Sequence, residues 1–372
     1  MKKIPSLLLL TLFTMQSFAQ KKDYNLIIGT YTSPGKSEGI YTYNFDVNTA
    51  EFNLKGVAKA ITNPSYVAVS KNNKFVYSVA GGSDNSAVAA FSFNGLKGEL
   101  SFLNKEATGS PGPCFVLADE KHAFSANYGG GSISVFGIEA NGALTPLKQL
   151  LQHNGKSIDP LKRQESAHAH QVQFTPDGKY VVCTDLGEDQ IYIYNYNPDA
   201  KEQVLSIKTV VKTTAGSGPR HLTFSPNGKF AYLAHEFNGS ITTFAYKAGN
   251  LSKIQEIATT DKDFTGKVDA ADIHISPDGK FLYETNRGDA NTISAFAIQP
   301  NGKLTFVSRI STLGRGPRNF VIDPSGKYLL VGHQYTDNVV IFERNKKTGT
   351  LKDTGKRIEL GSPVCLVFAP IR

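Results

Sequence analysis

Phe174-Thr-Pro-Asp-Gly-Lys179-Tyr180 is a turn phrase set between two apolar runs, and it recurs. Phe224-Ser-Pro-Asn-Gly-Lys229-Phe230, Ile275-Ser-Pro-Asp-Gly-Lys280-Phe281 and Ile322-Asp-Pro-Ser-Gly-Lys327-Tyr328 repeat it, and the lysines are 50, 51 and 47 residues apart. In each copy Pro fixes φ, the Asx or Ser side chain bonds nearby backbone, and Gly takes the left-handed position. The β-branched and aromatic residues on either side make the phrase a hairpin. A polar turn follows (Gly187 to Asp189, Phe237 to Gly239, Gly288 to Ala290), and then an alternating strand: Ile191 to Tyr194, Ile241 to Phe244, Ile293 to Phe296. A more variable fourth strand, such as Leu304 to Ser308, completes the unit. Four antiparallel strands at this period are one propeller blade.

Looser copies precede these at Val69-Ser-Lys-Asn-Asn-Lys74 and Leu117-Ala-Asp-Glu-Lys121, which makes six repeats with turns. The C-terminal Pro363 to Pro370 matches an innermost strand and then stops. Leu26 to Thr30 and Ile40 to Tyr43 supply strands with no innermost strand before them. The two ends therefore complete a seventh blade together, which removes free sheet edges. The expected fold is all-β, a seven-bladed β-propeller of four-stranded antiparallel blades. The absence of Trp excludes a WD40 ring.

Residues 1–19 read as a secretory signal: Lys2 and Lys3, an apolar run from Leu7 to Phe13, and Ser17-Phe18-Ala19 as the cleavage site, leaving 20–372 as a single propeller domain. The apolar run is too short to span a bilayer, so no membrane insertion of the mature protein is expected. The address is exported, periplasmic or extracellular. The three cysteines (Cys114, Cys183, Cys365) lie in apolar strand phrases and read as buried small hydrophobes, not a disulfide framework. The formal charge of +8 falls to +6 without the leader lysines and is dispersed over turn lysines, with no basic–aromatic cluster for nucleic acid. Nothing in the sequence fixes an oligomeric state.

Aligning the repeats shows where chemistry breaks the pattern. Just after the strand-opening residue stand Ser65, Cys114, His170, Arg220, Ala271, Arg318 and Val364; next come Tyr66, Phe115, Gln171, His221, Asp272, Asn319 and Cys365. Six residues after the turn lysine are Ala80, Asn127, Asp185, His235, Asn286 and His333; seven after it are Gly81, Tyr128, Leu186, Glu236, Arg287 and Gln334. Both registers are expected at one mouth of the central channel. Folding needs none of these polar groups, and burying them costs free energy unless they are paired. A binding or catalytic site follows as the expectation.

Each residue also has a structural reading. His168-Ala-His170 has the two-residue spacing of a strand face and reads either as a metal pair or as two channel histidines. No second His/Cys pair has ligand spacing, so no metal is expected. Asp185, Glu236, Asp272 and His274 form no calcium loop. Arg220 and Arg318 both follow Gly-Pro, which also marks a turn into a strand. Glu236 and Arg287 could form a purely structural ion pair. Tyr128-Gly-Gly-Gly131 is a hairpin turn and not a phosphate loop, and Gln152 to Glu165 is a long loop or a lid over the mouth.

At His168-Ala-His170-Gln171, Gly218-Pro-Arg-His221, Glu236, Ala271-Asp-Ile-His274, Thr285-Asn-Arg287-Gly288 and Gly316-Pro-Arg318-Asn319 the chain resembles the seven-bladed propeller lactonases of the 6-phosphogluconolactonase type, relatives of fungal carboxy-cis,cis-muconate cyclase. The resemblance covers essentially the whole mature chain. It implies a hydrolase that opens a sugar lactone without a cofactor, and a site of His168 or His170, Arg220, Glu236 and Arg287. Where the family usually has Asn-Glu-Leu, this chain has His235-Glu236-Phe237. Its export signal also argues for a lactone other than the cytoplasmic 6-phosphate.

On this reading His170 is the general base, with His168 or Glu236 orienting it or substituting for it. Arg287 or Arg220 stabilises the oxyanion, and the other arginine with Arg318 binds a substrate anion. Gln171, His221, Asp185, Asp272, His274, Asn286, Asn319, His333 and Gln334 are expected to bind substrate. The alternatives are a cyclase using the same residues in reverse, and a non-catalytic binding propeller.

Overall fold

A computed structural model describes residues 23–81, 85–159 and 161–371. The expected leader and its cleavage point near Ala19 lie outside the described residues. These form seven four-stranded antiparallel sheets and no helix. In chain order, blades 1 to 6 span residues 67–107, 113–152, 169–212, 219–258, 270–311 and 317–359. Blade 7 joins Pro363–Pro370 as its inner strand to Asp23–Thr30, Gly39–Asp46 and Phe52–Lys59. The ends of the chain close the ring as the sequence requires.

The second strands are apolar on both faces because each blade is covered on both sides. Val181 and Cys183 pack toward blade 2 with Phe124, Ile133 and Val135. Val182, between them, packs toward blade 4 with Leu222, Leu233 and Phe244. Seven apolar clusters among the described residues occupy the seven blade–blade contacts in this way. Each buried Leu, Ile or Phe contributes about 1.5–3 kcal/mol of transfer free energy.

Tyrosines of these clusters also act as latches between blades. The hydroxyls of Tyr77, Tyr232 and Tyr283 donate to the carbonyls of Gly142, Gly302 and Gly349 in the next blade at 3.1, 2.9 and 2.7 Å. Gly302 sits at φ 82, and a Cβ there would stand 2.3 Å from Phe230 Cδ1, so the latch turn demands glycine.

A second regularity positions the site. In six sheets the pairing of the inner strand with its neighbour slips by a residue or two near its start. The residues skipped are Cys114, His170, Arg220 with His221, Ala271 with Asp272, Arg318 and Val364. A bulge of this kind re-aims a side chain away from the sheet faces. The first aligned polar register therefore coincides with a ring of bulges at one mouth of the channel.

Candidate active site

A cavity of about 580 Å³ opens at that mouth, lined by Cys114, Tyr128, Arg163, His170, Glu236, Lys267, Asp269, Arg287 and Arg318, with Tyr31, Asn63 and Tyr335 on the side of blade 7. A small space of about 10 Å³ continues beneath it between His170, Arg220, His221 and Arg318.

Glu236 is the hub. Its Oε2 accepts from Arg220 Nε at 2.9 Å and meets Arg287 Nη2 at 3.0 Å, and its Oε1 accepts from Arg163 Nη2 at 3.1 Å. Burial pushes the carboxyl up, but Arg287, Arg220, Arg163 and Arg318 together bring it down to about 2. Glu236 is therefore a permanent anion that organises guanidiniums and a poor proton acceptor, which corrects its expected use as an alternative base.

Arg287 also bonds Asp269 Oδ1 at 2.8 Å and the carbonyls of Asp269 and Ala270. Burial and the nearby Glu236 charge raise the Asp269 carboxyl despite Arg287. Arg220 is fully buried, and burial with the charges of Arg287 and Arg318 lowers it to about 10, so it stays protonated at neutral pH. Arg220 Nη1 reaches the Ala271 carbonyl and His221 Nε2 at 3.3 Å. A guanidinium only donates, so His221 Nε2 accepts, and His221 Nδ1 carries the proton donated to Asp272 Oδ1 at 2.8 Å.

His170 lies on the cavity wall, edge-on to Tyr128 and His221 at 5.7 and 5.1 Å. Its Nδ1 is buried with no partner among the described residues. Burial first, then the charges of Arg220, His221, Arg318 and Arg287, hold the imidazole well below its usual value. The group is unprotonated at neutral pH.

Among the described residues neither His168 nor Glu236 bonds His170, contrary to expectation. His168 stacks on Tyr128 at 4.4 Å, with Nδ1 against the Tyr128 carbonyl at 2.8 Å, and does not line the cavity. Arg318 reaches only Gln334 Oε1, at 3.4 Å, and lies 5.5 Å over the Tyr31 ring. Among the described residues it has no carboxylate partner, which leaves a cation for a ligand.

The neighbouring register serves the ring itself. Gln171 Oε1 accepts from Leu222 N at 2.5 Å, Asp272 Oδ2 from Phe320 N at 3.2 Å, and Asn319 Oδ1 from Leu366 N at 2.7 Å. Val67 N is 3.4 Å from Cys365 Sγ. Each bond ties one inner strand to the next blade's. Asp272 also accepts from Asn319 Nδ2 at 2.5 Å and pairs with His274 at 2.9 Å. Burial raises Asp272, but His274 and His221 hold it well below 3.8. Gln171, His221, Asp272, His274 and Asn319 thus form a belt beneath the cavity and are not its walls.

The second expected register is also divided. Asp185 binds the His168, Gly187 and Glu188 amides and His153; Asn286 takes the Asp269 amide. His333 is buried, and burial lowers it to about 4 despite the nearby Asn338. These three end their strands facing into the protein. In the register one residue further on, Tyr128, Glu236 and Arg287 line the cavity, whereas Leu186 is buried in the core. Gln334 touches Arg318 and is not itself lining. Successive side chains on a strand face opposite sides, so both registers could not serve one cavity.

Sequence reasoning passed over Arg163, Asp269, Lys267, Tyr31, Asn63 and Tyr335. Asp269 had a signal, two residues ahead of Ala271 in the aligned register. Cys114, expected as buried packing, is half-buried on the cavity wall, and burial raises its thiol to about 11. Cys183 and Cys365 are buried as expected. No cluster of metal-ligating side chains occurs among the described residues, and no helix among them is long and apolar enough to cross a membrane.

The family model for lactonases of the seven-bladed β-propeller type matches residues 25–368. The chain belongs to this family. It is 37% identical over 346 residues to a 6-phosphogluconolactonase of Bacillus subtilis, covering 92% of this chain and 97% of the relative. A putative 6-phosphogluconolactonase from Bacteroides fragilis superposes with a TM-score of 0.90 at 43% identity, over 94% of this chain and 99% of that one. A periplasmic gluconolactonase from Pseudomonas aeruginosa superposes with a TM-score of 0.89 at 34% identity, over 94% and 100%.

Proposed function

We propose that this lactonase-family chain hydrolyses a sugar lactone at the channel-mouth cavity. The observation that carries this reading is an unprotonated imidazole, His170, on the wall of a cavity ringed by Arg287, Arg318 and the Glu236-bound guanidiniums. Water attacks the lactone carbonyl while His170 takes its proton, and the carbonyl oxygen becomes an oxyanion beside Arg287. Collapse of the tetrahedral species breaks the acyl–oxygen bond. The ring oxygen leaves with the proton from His170, giving a hydroxyl and a carboxylic acid, which releases its own proton to solvent as the carboxylate. Glu236 keeps Arg220 and Arg287 in place and takes no proton.

The positive charges that weaken His170 as a base also suggest how substrate restores it. An anionic substituent resting on Arg318 would offset part of the field that lowers the imidazole, making the base stronger once substrate is bound. The relatives named 6-phosphogluconolactonase support a phosphorylated lactone, and the Pseudomonas gluconolactonase supports an unphosphorylated one. The leader pattern in residues 1–19 favours the second and an exported address. A mature N-terminus near Gln20 in protein from its native cell supports export, and retention of Met1 tells against it.

The deciding measurement is base uptake in a pH-stat with glucono-1,5-lactone and its 6-phosphate, each corrected for spontaneous hydrolysis. Enzyme-dependent acid release that disappears in His170→Ala and Arg287→Ala supports the reading. Near-wild-type turnover in both variants rejects this site.

A further inference from the structure

The turn between blades 2 and 3 differs from its counterparts. Between Gln152 and Ala169 it runs for sixteen residues, whereas the corresponding segments before blades 2, 4 and 6 have five, six and five. It is tied down along its length. His153 donates and accepts between Asp185 Oδ2 at 2.6 Å and the Tyr194 hydroxyl at 2.7 Å, and stacks on Tyr192 at 3.8 Å. The Gly155 amide donates to Glu188, and the Ser157 hydroxyl to Asp189 at 2.5 Å. Gln164 is fully buried and donates to the Leu186 carbonyl at 2.8 Å. Asp159 Oδ1 accepts from the backbone amides of Arg163 and Gln164.

The one long cationic side chain this segment sends into the cavity is Arg163. Its guanidinium lies 5.9 Å from the Tyr128 ring centre and 5.3 Å from that of Phe237, and Nη2 donates to the Tyr128 hydroxyl at 2.7 Å and to Glu236 Oε1 at 3.1 Å. The side chain is 42% exposed at the cavity rim, whereas Arg220 and Arg287 are buried at 2% and 7%. Arg220 and Arg287 both use Oε2; Arg163 alone holds Oε1 among the described residues. With one oxygen held by two cations and the other by none, the carboxylate would be free to turn about its terminal torsion, which is broad for glutamate.

We propose that Arg163 is a positioning residue for the lactonase reaction: delivered by the blade 2–3 segment, it locks the Glu236 carboxylate through Oε1 and so holds Arg287 aimed at the reacting carbonyl. The inference rests on the functional reading above for its kinetic consequence, but the lock itself is testable without turnover. Misplacing a catalytic group by about 1 Å costs on the order of 100-fold in rate. Arg163→Ala should therefore lose about 30- to 100-fold in kcat with KM within about 3-fold. Arg163→Lys, which keeps the charge but not the planar fork, should lose less. The gap left in Arg163→Ala lies at an open rim, so added guanidinium ion should restore part of kcat.

Arg163→Met serves as the packing control, because it keeps the stem over Tyr128 and Phe237. The independent readout is carbodiimide-driven amide formation at Glu236 with glycine methyl ester, followed by peptide mass spectrometry. Glu236 should stay unlabelled in wild type and Arg163→Lys, and become labelled in Arg163→Ala and Arg163→Met. An unlabelled Glu236 in the alanine variant, or equal labelling in wild type, overturns the lock. A kcat within 2-fold of wild type, or a loss that guanidinium does not relieve, overturns its kinetic role. Absence of any lactone turnover in wild type defeats the functional reading instead, while the labelling result still decides the lock.

Discussion

Two rings of side chains, one residue apart on the inner strands, differ in what they are able to do. His170, Arg220 and Arg318 stand on bulges at the channel mouth. Gln171, His221, Asp272 and Asn319 stand one residue further on and spend their hydrogen bonds on the neighbouring blade. Both rings are polar and wholly or partly buried, but only the first retains unspent groups, such as the Arg318 guanidinium. Polarity against the repeat thus marks two different needs: the cavity at the mouth, proposed above as the catalytic site, and a belt that satisfies the bulged inner strands whose backbone groups would otherwise be orphaned.

The largest expected difference lies in activity. His170→Ala and Arg287→Ala should lower kcat/KM on the productive lactone by about 100- to 1000-fold, the range for losing a general base or an oxyanion donor. The melting temperature of His170→Ala should stay near wild type by circular dichroism, whereas Arg287→Ala strands the buried Glu236 carboxylate and that of Asp269, so its kcat/KM is compared per folded molecule. The belt should respond in the opposite way. Asp272→Ala strands His221, His274 and the Phe320 amide, and should cost about 3–5 kcal/mol in denaturant titration, with kcat per folded molecule retained. Loss of kcat without loss of stability in Asp272→Ala would erase the distinction between the rings.

A smaller effect is expected at Arg318, the mouth cation with no carboxylate partner among the described residues. Arg318→Ala should raise KM about tenfold for a phosphorylated lactone and much less for the neutral one, since one charge-assisted contact contributes about 1.5–3 kcal/mol. Equal effects on both substrates would place the anion elsewhere.

The pH dependence sharpens the same comparison. His170 is held below its usual value, so kcat/KM should stay flat through neutrality and fall only on the acid side, below pH 6.5. The kcat profile, which reports the substrate complex, should show its acid limb at higher pH once an anion offsets the arginines. Coincident limbs would remove substrate charge from the mechanism.

The smallest effect is on stability and lies outside both rings. Glu284 is fully buried, and burial raises it from 4.5 to about 8 against the opposing pull of Thr259 and Arg309. A carboxyl raised in the folded state binds its proton there while the unfolded chain has released it. Its contribution is therefore lost progressively as pH rises from about 4.5 toward about 8. Glu284→Gln should flatten that decline in melting temperature, and an unchanged slope would show that Glu284 titrates normally.

Much of this was legible in the sequence. The spaced Pro-Asx-Gly-Lys phrases gave the blade count, and the unmatched strands at the two ends gave the closure. His170, Arg220, Glu236, Arg287 and Arg318 stood out because they break the repeat at equivalent positions. Asp185, Asn286 and His333 stood out in the same way and serve the interior. Alignment compares positions along a strand, whereas cavity access depends on which side of the strand the residue faces and on where a bulge inserts an extra residue. Arg163 left no repeat signal at all, because its segment has no counterpart of similar length.

The sequence by itself therefore determined the architecture, since a repeated turn phrase with period-two apolar strands has one closed way to bury both faces of every blade. It also determined which mouth of the channel is polar. Only the tertiary structure decided which of those polar groups face the cavity, that Glu236 is a fixed anion between three guanidiniums, and that Arg163 completes the set. Those properties depend on distances of about 3 Å between residues up to 73 positions apart, set by bulges and blade packing that no local pattern encodes.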